Sequence, residues 1–388
     1  MGRRLTILML LLFSVILCGC TNRRKELVPN ESNSIKVGVF KGYGGAAVCI
    51  REAYAACLID PGMEVTYITP DDISRGSLQG LDAFIIPGGS GSRQYMDMGE
   101  SNRETLKKWV KEGGTVFGIC AGAYMLSNTP EYACMNMIGA KAIDIEHDNR
   151  GHGICKVTLT PEGKKTFPEV ADRDTLYLMY YEGPALVNAD EADAPRYNIL
   201  GTMMSDVHIE GSAPANVTGN KPFFTHTRYG KGHVIGSVGH PEATPGMQWM
   251  VPRLLRAAMG AELIAYNDVS VDPDKFNKEI LCTEDVAVRE KEIFMLLQKE
   301  ATSKEKIEAI EYLFSVCSWD GKNWVRGMLY EQNPSVQLAA ARYMNHSGYT
   351  AFFDDMKEAV RIQKDPVVQQ KLQKQCDSLL LQIRGKSW

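Results

Sequence analysis

Gly118-Ile119-Cys120-Ala121-Gly122 lies between a β-rich run and a helix-like run. A nucleophile on a sharp strand-to-helix turn has this setting, because the strained, closely packed backbone there needs small neighbours. A helix starting behind Cys120 would aim peptide N–H groups and a partial positive charge at the sulfur, favouring thiolate, the reactive form. Later in the chain, His240-Pro241-Glu242 follows another β-rich stretch. Pro241 biases His240 towards an extended backbone, in which residues two apart face the same way, so Glu242 can reach the imidazole. A carboxylate that orients a histidine, which in turn activates a thiol, is the cysteine form of the catalytic triad. Pro87-Gly88-Gly89-Ser90-Gly91 ends a third β-rich run. An N–H from Gly88 or Gly89, together with that of Ala121, would form an oxyanion hole. The expected chemistry is attack of Cys120 on an amide-like carbonyl.

Each motif also has a plainer reading. Gly118–Gly122 fits a buried structural cysteine in a tight turn, and Pro87-Gly88-Gly89 fits an ordinary turn. Gly42-Tyr43-Gly44-Gly45-Ala46-Ala47 follows the first β-rich run like a dinucleotide fingerprint. The acidic residues Asp71 and Asp72 come too late for that role, so it reads as a loop at the active-site rim. Asp144, Glu146, His147, Asp148, His152 and Cys155 crowd one stretch, but their spacing matches no familiar ligand pattern. They read as a polar loop bordering the cleft. No metal and no cofactor are expected.

The elements that must position these groups alternate. Ile35–Phe40, Glu64–Thr69, Ala83–Ile86 and Thr115–Ile119 read as strands, with helix-like Ala46–Leu58 and Arg103–Glu112 between them. A further helix starts at Ala121. That alternation predicts an α/β fold, a parallel sheet with helices on both faces. After Gly151 the pattern is more strand-like: Ile154–Leu159, Leu176–Met179, Phe223–Arg228 and His233–Ser237, closed by a helix over Gln248–Met259. From Glu284 onward only helix-period runs remain. Asn333-Pro334 and Asp365-Pro366 recur 32 residues apart. An Asx-Pro pair ahead of apolar helices at this period resembles HEAT-type repeats. The domains expected are therefore an α/β unit over 35–263, a linker over 264–283 and an all-α, HEAT-like region over 284–388.

Gly-x-Cys-x-Gly with a later His-Pro-Glu resembles class I glutamine amidotransferase-like domains. The longer Gly118-Ile119-Cys120-Ala121-Gly122-Ala123-Tyr124 looks like the N-terminal domain of biotin-protein ligases, and Tyr180-Tyr181-Glu182-Gly183-Pro184 and Gly230-Lys231-Gly232-His233-Val234 add to the likeness. The resemblance runs from about Ile35 to Leu263. It implies a flavodoxin-like sheet, with Cys120 as nucleophile, His240 as base and Glu242 as orienting acid. There is no counterpart of the Gly-Arg-Gly-Arg type biotin-binding segment, and no synthase or synthetase domain to receive ammonia, so neither biotin ligation nor an amidotransferase role is expected.

At the N-terminus, Arg3 and Arg4 precede an apolar run from Leu5 to Cys18 broken only by Thr6 and Ser14. The run is too short for a comfortable membrane span and has the layout of a secretory signal. Leu17-Cys18-Gly19-Cys20 resembles the bacterial lipoprotein box, which would make residues 1–19 a signal peptide and Cys20 the lipid-bearing residue. Residues 20–34 are polar and read as a tether. The remaining composition is that of a globular protein: 44% hydrophobic, 23% charged, ten cysteines in 388 residues and a formal charge of −4. This excludes a disulfide scaffold and gives no basic field for nucleic acid. Two functional classes follow. One is an extracytoplasmic, lipid-anchored cysteine hydrolase or acyl-transferase acting on a small-molecule or peptide amide. The other is a non-catalytic binding lipoprotein of the cell envelope, using the retained pocket and offering the helical region to a protein partner.

Overall fold

A computed structural model describes residues 34–147, 150–189 and 194–384. The expected signal peptide, Cys20, all of the tether but its last residue, and Asp148 lie outside the described residues.

The strands are β1 (Ile35–Phe40), β2 (Met63–Ile68), β3 (Ala83–Ile86), β4 (Thr115–Ile119), β5 (Ala140–Ala142), β6 (His152–Leu159), β7 (Leu176–Tyr181), β8 (Leu186–Asn188), β9 (Asn198–Met203), β10 (Lys221–Tyr229), β11 (Gly232–Ser237) and β12 (Ile280–Leu281). Ten of them form one sheet, in the order β12-β6-β9-β10-β11-β4-β3-β1-β2 with β7 on the other edge of β6; β5 and β8 pair separately. β2, β1, β3, β4 and β11 run parallel. Every residue of β3 and β4 is buried, so helices cover both faces of this half. The sheet is mixed, because β10, β9, β6, β7 and β12 continue it antiparallel. The hairpin Tyr229-Gly230-Lys231-Gly232 makes the reversal, with Gly230 at φ 65. That conformation costs a glycine little.

Residues 264–283, expected as a linker, are built into the α/β unit. The Tyr266 hydroxyl donates to Asp60 (2.9 Å), the Asp272 N–H donates to the Gly246 carbonyl (3.0 Å), and β12 pairs with the start of β6. A two-residue strand in a Pro/Asp/Asn-rich stretch carries no periodicity from which to read it.

Six helices follow: Glu284–Leu297, Ser303–Ser315, Gly321–Gly327, Pro334–His346, Phe353–Ile362 and Pro366–Arg384. Leu313, Val325, Leu329, Val336, Met344, Leu372 and Leu379 form their core. Asn333 Oδ1 accepts from the Ser335 N–H (2.9 Å) and Asp365 Oδ1 from the Val367 N–H (2.8 Å), so both Asx-Pro pairs are helix starts. None of the described helices is long and apolar enough to cross a membrane.

The helical region does not hang free. Cys317 and Trp319 share an apolar cluster with Cys49, Ile154, Met179 and Ala243 of the α/β unit. Beside that cluster, Lys322 Nζ meets Glu52 at 2.7 Å with both side chains buried. Arg51 reaches across to Asp355 at 2.7 Å.

Candidate active site

The loops after β3, β4 and β11 meet at the C-terminal ends of the parallel strands, the end at which open α/β sheets hold ligands. β4 and β11 lie in register, Gly118 beside Gly236 and Ile119 beside Ser237, and the Cys120 N–H donates to the Ser237 carbonyl at 2.8 Å. Cys120 then turns sharply (φ 52, ψ −106) into the helix Ala121–Leu126. A non-glycine residue with that φ is strained, and the surrounding packing holds it. The two flanking glycines are required by contact. A Cβ on Gly118 would stand 2.4 Å from the Gly122 carbonyl oxygen, and one on Gly122 2.1 Å from that of Ile86.

His240 and Glu242 are both buried, and His240 Nδ1 lies 2.7 Å from Glu242 Oε1. The route to this contact differs from the extended pairing expected. Pro241–Ala243 form a 3₁₀ turn, and the turn itself brings the Glu242 carboxylate back under the ring. The His240 N–H donates to the Met179 carbonyl (2.7 Å), and its own carbonyl accepts from the Thr244 hydroxyl (2.8 Å), so its backbone is pinned on both sides. With Nδ1 tied to Glu242, Nε2 is left for Cys120, with which the ring also hydrogen-bonds. Burial alone would pull the imidazole pKa down. The charges of Glu242 and Cys120, and the hydrogen bonds to both, outweigh it and hold the ring at about 10. Near neutral pH, His240 therefore carries its proton. The Cys120 sulfur also lies 3.4 Å from the Tyr181 carbonyl oxygen.

Above the sulfur is a cavity of about 320 Å³ lined by Gly89, Ser90, Ser92, Cys120, Ala121, Tyr124, Tyr132, Tyr181, His240 and Trp319 among others. Of the expected oxyanion donors, Gly89 and Ala121 line it. Gly88 lies behind it, so close to the triad that an added Cβ would come 2.8 Å from the His240 ring. The Gly42–Ala47 loop is a rim, as expected: Gly45 bridges to Gly89, and Ala46 lines the cavity. From the acidic run, Asp144 accepts from the Tyr124 hydroxyl (2.5 Å) and the Ala185 N–H (2.9 Å) and pairs with buried Arg150 (2.8 Å). It is a pin beneath the cleft.

The wall that sequence reasoning missed is Trp319. Its ring centroid sits 4.6 Å from that of His240 and 5.2 Å from that of Tyr181, and Lys322 Nζ lies 3.8 Å from it on the far side. The site is thus closed by the helical region. Tyr181 stood inside a motif already noted, but nothing near Trp319 signals a site.

A family model described as "Biotin-protein ligase, N terminal" matches residues 35–292. The chain belongs to that family. The biotin-protein ligase N-terminal family region runs past Leu263 and takes in β12, which pairs with the sheet, and most of the first C-terminal helix. Among curated relatives, the chain is 24% identical over 240 residues to a probable pyridoxal 5'-phosphate synthase subunit pdx2 of Dictyostelium discoideum, covering 57% of this chain and 90% of that one. It is 26% identical over 176 residues to the pyridoxal 5'-phosphate synthase subunit PdxT of Listeria monocytogenes, covering 45% and 77%. Among solved structures, the glutaminase domain of Trypanosoma brucei CTPS with bound acivicin aligns at 11% identity and a TM-score of 0.38, over 60% of this chain and 96% of that one.

Proposed function

We propose that this family member is a cysteine amidohydrolase or acyl-transferase in which Cys120 is the nucleophile, His240 the proton carrier and Glu242 the group that orients it. The observation that carries this reading is the buried line Glu242–His240–Cys120 ending in a cavity. In the first half-reaction, Sγ bonds to the amide carbonyl carbon while the C=O pair moves onto oxygen, held by the Gly89 and Ala121 N–H groups. The His240 imidazolium gives its proton to the departing nitrogen, the C–N bond breaks, and a thioester on Cys120 remains. In the second, neutral His240 takes a proton from water or an acceptor amine, which attacks the thioester and frees the sulfur.

A cavity of about 320 Å³ fits a small amide. The Gly-x-Cys-x-Gly and His-Pro-Glu motifs resemble class I glutamine amidotransferase-like domains, which supports glutamine or γ-glutamyl amides as the first class to try. Ammonia or amine release from a panel of such amides, measured on the full mature chain, tests the reading. Release with one class, abolished in Cys120→Ser, is the expected result. No release from any amide, or release that survives Cys120→Ser, would leave the pocket as a binding site of a non-catalytic protein.

The second part of the reading concerns location. Leu17-Cys18-Gly19-Cys20 supports lipid attachment at Cys20 and a place on the outer side of the cytoplasmic membrane. Labelling with a fatty-acid analogue should mark the wild type and leave Cys20→Ser unlabelled; a labelled variant would refute the anchor.

A further inference from the structure

Outside the triad, three metal-binding side chains meet where the helical region joins the sheet. His152 begins β6; Cys282 follows β12, with its N–H donating to the His152 carbonyl at 2.8 Å; Glu290 comes from the helix Glu284–Leu297. One donor atom from each lies within 4.8 Å of the other two. We propose that His152, Cys282 and Glu290 bind a borderline divalent cation of the Zn²⁺ class, which clips the helical region to the edge of the sheet.

The second observation is Glu290 itself. Its side chain is 8% exposed, one carboxylate oxygen lies 3.7 Å from His152 Nε2, and the other is buried without a partner. The ion pairs of the described residues give it no lysine or arginine. A buried carboxylate without a counter-charge is costly, and a dication supplies that charge.

A thiol, an imidazole and a carboxylate together suit zinc better than magnesium or calcium, which take all-oxygen sets. The donors must draw in to about 3.5 Å from one another to share a tetrahedral ion at Zn–S of about 2.3 Å and Zn–N of about 2.0 Å, leaving a fourth position for water. Cys282 binds by losing its proton to solvent as the S–metal bond forms. One contact ties the ion to the pocket wall: His152 stacks on Tyr181 at 5.0 Å.

The probe is Co²⁺, titrated into the reduced, metal-stripped full chain. One equivalent should give a thiolate-to-cobalt band with tetrahedral visible absorption, displaced by Zn²⁺. Cys282→Ser should lose the thiolate band and Glu290→Gln should bind at least tenfold more weakly, while Cys120→Ser keeps both band and affinity. Zn²⁺ should raise the melting temperature of the wild type and not that of Cys282→Ser, and the two metal-free proteins should melt alike, which separates lost binding from misfolding. No stoichiometric band, a band that persists in Cys282→Ser, or one that disappears in Cys120→Ser would overturn the site. None of these readouts depends on turnover, so they stand apart from the test of the triad.

Discussion

Iodoacetamide should alkylate Cys120 near pH 7 before the seven other described cysteines. The seven are poor competitors, because burial pushes every one of those thiols up, Cys282 and Cys376 to about 11 and Cys317 to about 12. Cys120 is distinguished by the ring beside it. Burial pulls the pKa of that ring down, but Glu242 outweighs it, so near pH 7 the ring is an imidazolium that favours negative charge on the sulfur. His240→Ala should slow Cys120 by roughly tenfold or more, about 1.4 kcal/mol on the barrier. Glu242→Gln should slow it less, since the ring is misoriented but present. The sign for stability follows from the same shift. A histidine pKa raised above its unfolded value of about 6.5 stabilises fully below that pH, and the contribution is lost as pH rises through about 10. Peptide mapping after short exposures near pH 7 reads the reactivities. Uniform labelling, or no effect of His240→Ala, would overturn the assignment of Cys120 as the activated thiol.

Lys322→Met should cost about 3–5 kcal/mol of stability at pH 7.5, the range for stripping one partner from a buried ion pair. The lysine is fully buried and its partner Glu52 nearly so. Burial raises the Glu52 pKa, and the charge and hydrogen bond of Lys322 pull against it. Without that lysine, the carboxylate is left with neither water nor a cation. An acid whose folded pKa is raised destabilises fully above that pKa, and the penalty fades as pH falls from it towards the unfolded value, so the deficit should shrink as Glu52 takes up a proton. The double variant Glu52→Gln/Lys322→Met should recover most of the loss. Urea melts at pH 5 and 7.5 measure all of this. A loss below about 1 kcal/mol, or one that does not change with pH, would show that the pair contributes little.

How much of this was legible depended on how each feature is encoded. β3 and β4 could be read to the residue, because both are buried along their whole length and so are nearly continuous apolar runs. β9 could not, since Asn198-Ile199-Leu200-Gly201-Thr202-Met203 has neither such a run nor clean alternation, and the helix Gly321–Gly327 begins and ends in glycine. Cys120, His240 and Glu242 were legible because each sits in a short local pattern set by its own turn. Trp319 was not, because its place beside His240 comes from the docking of a distant helix pair, which no local pattern records. The neighbours of His152 in space were not legible either: Cys282 comes from the end of the expected linker and Glu290 from the helix after it, far from His152 in sequence.

The tryptophan over the histidine also sets an order of events in biosynthesis. Ribosomes deliver a chain from its N-terminus, and early domains fold as they emerge. Cys120, His240 and Glu242 are all made before Trp319 and Lys322, so a chain interrupted between them holds every reacting group beneath a missing wall. Its thiol would meet any electrophile in its surroundings instead of the one the finished pocket admits. Selectivity therefore arrives last, and a stop codon between those of Glu242 and Trp319 would leave the thiol without the wall that selects its electrophile.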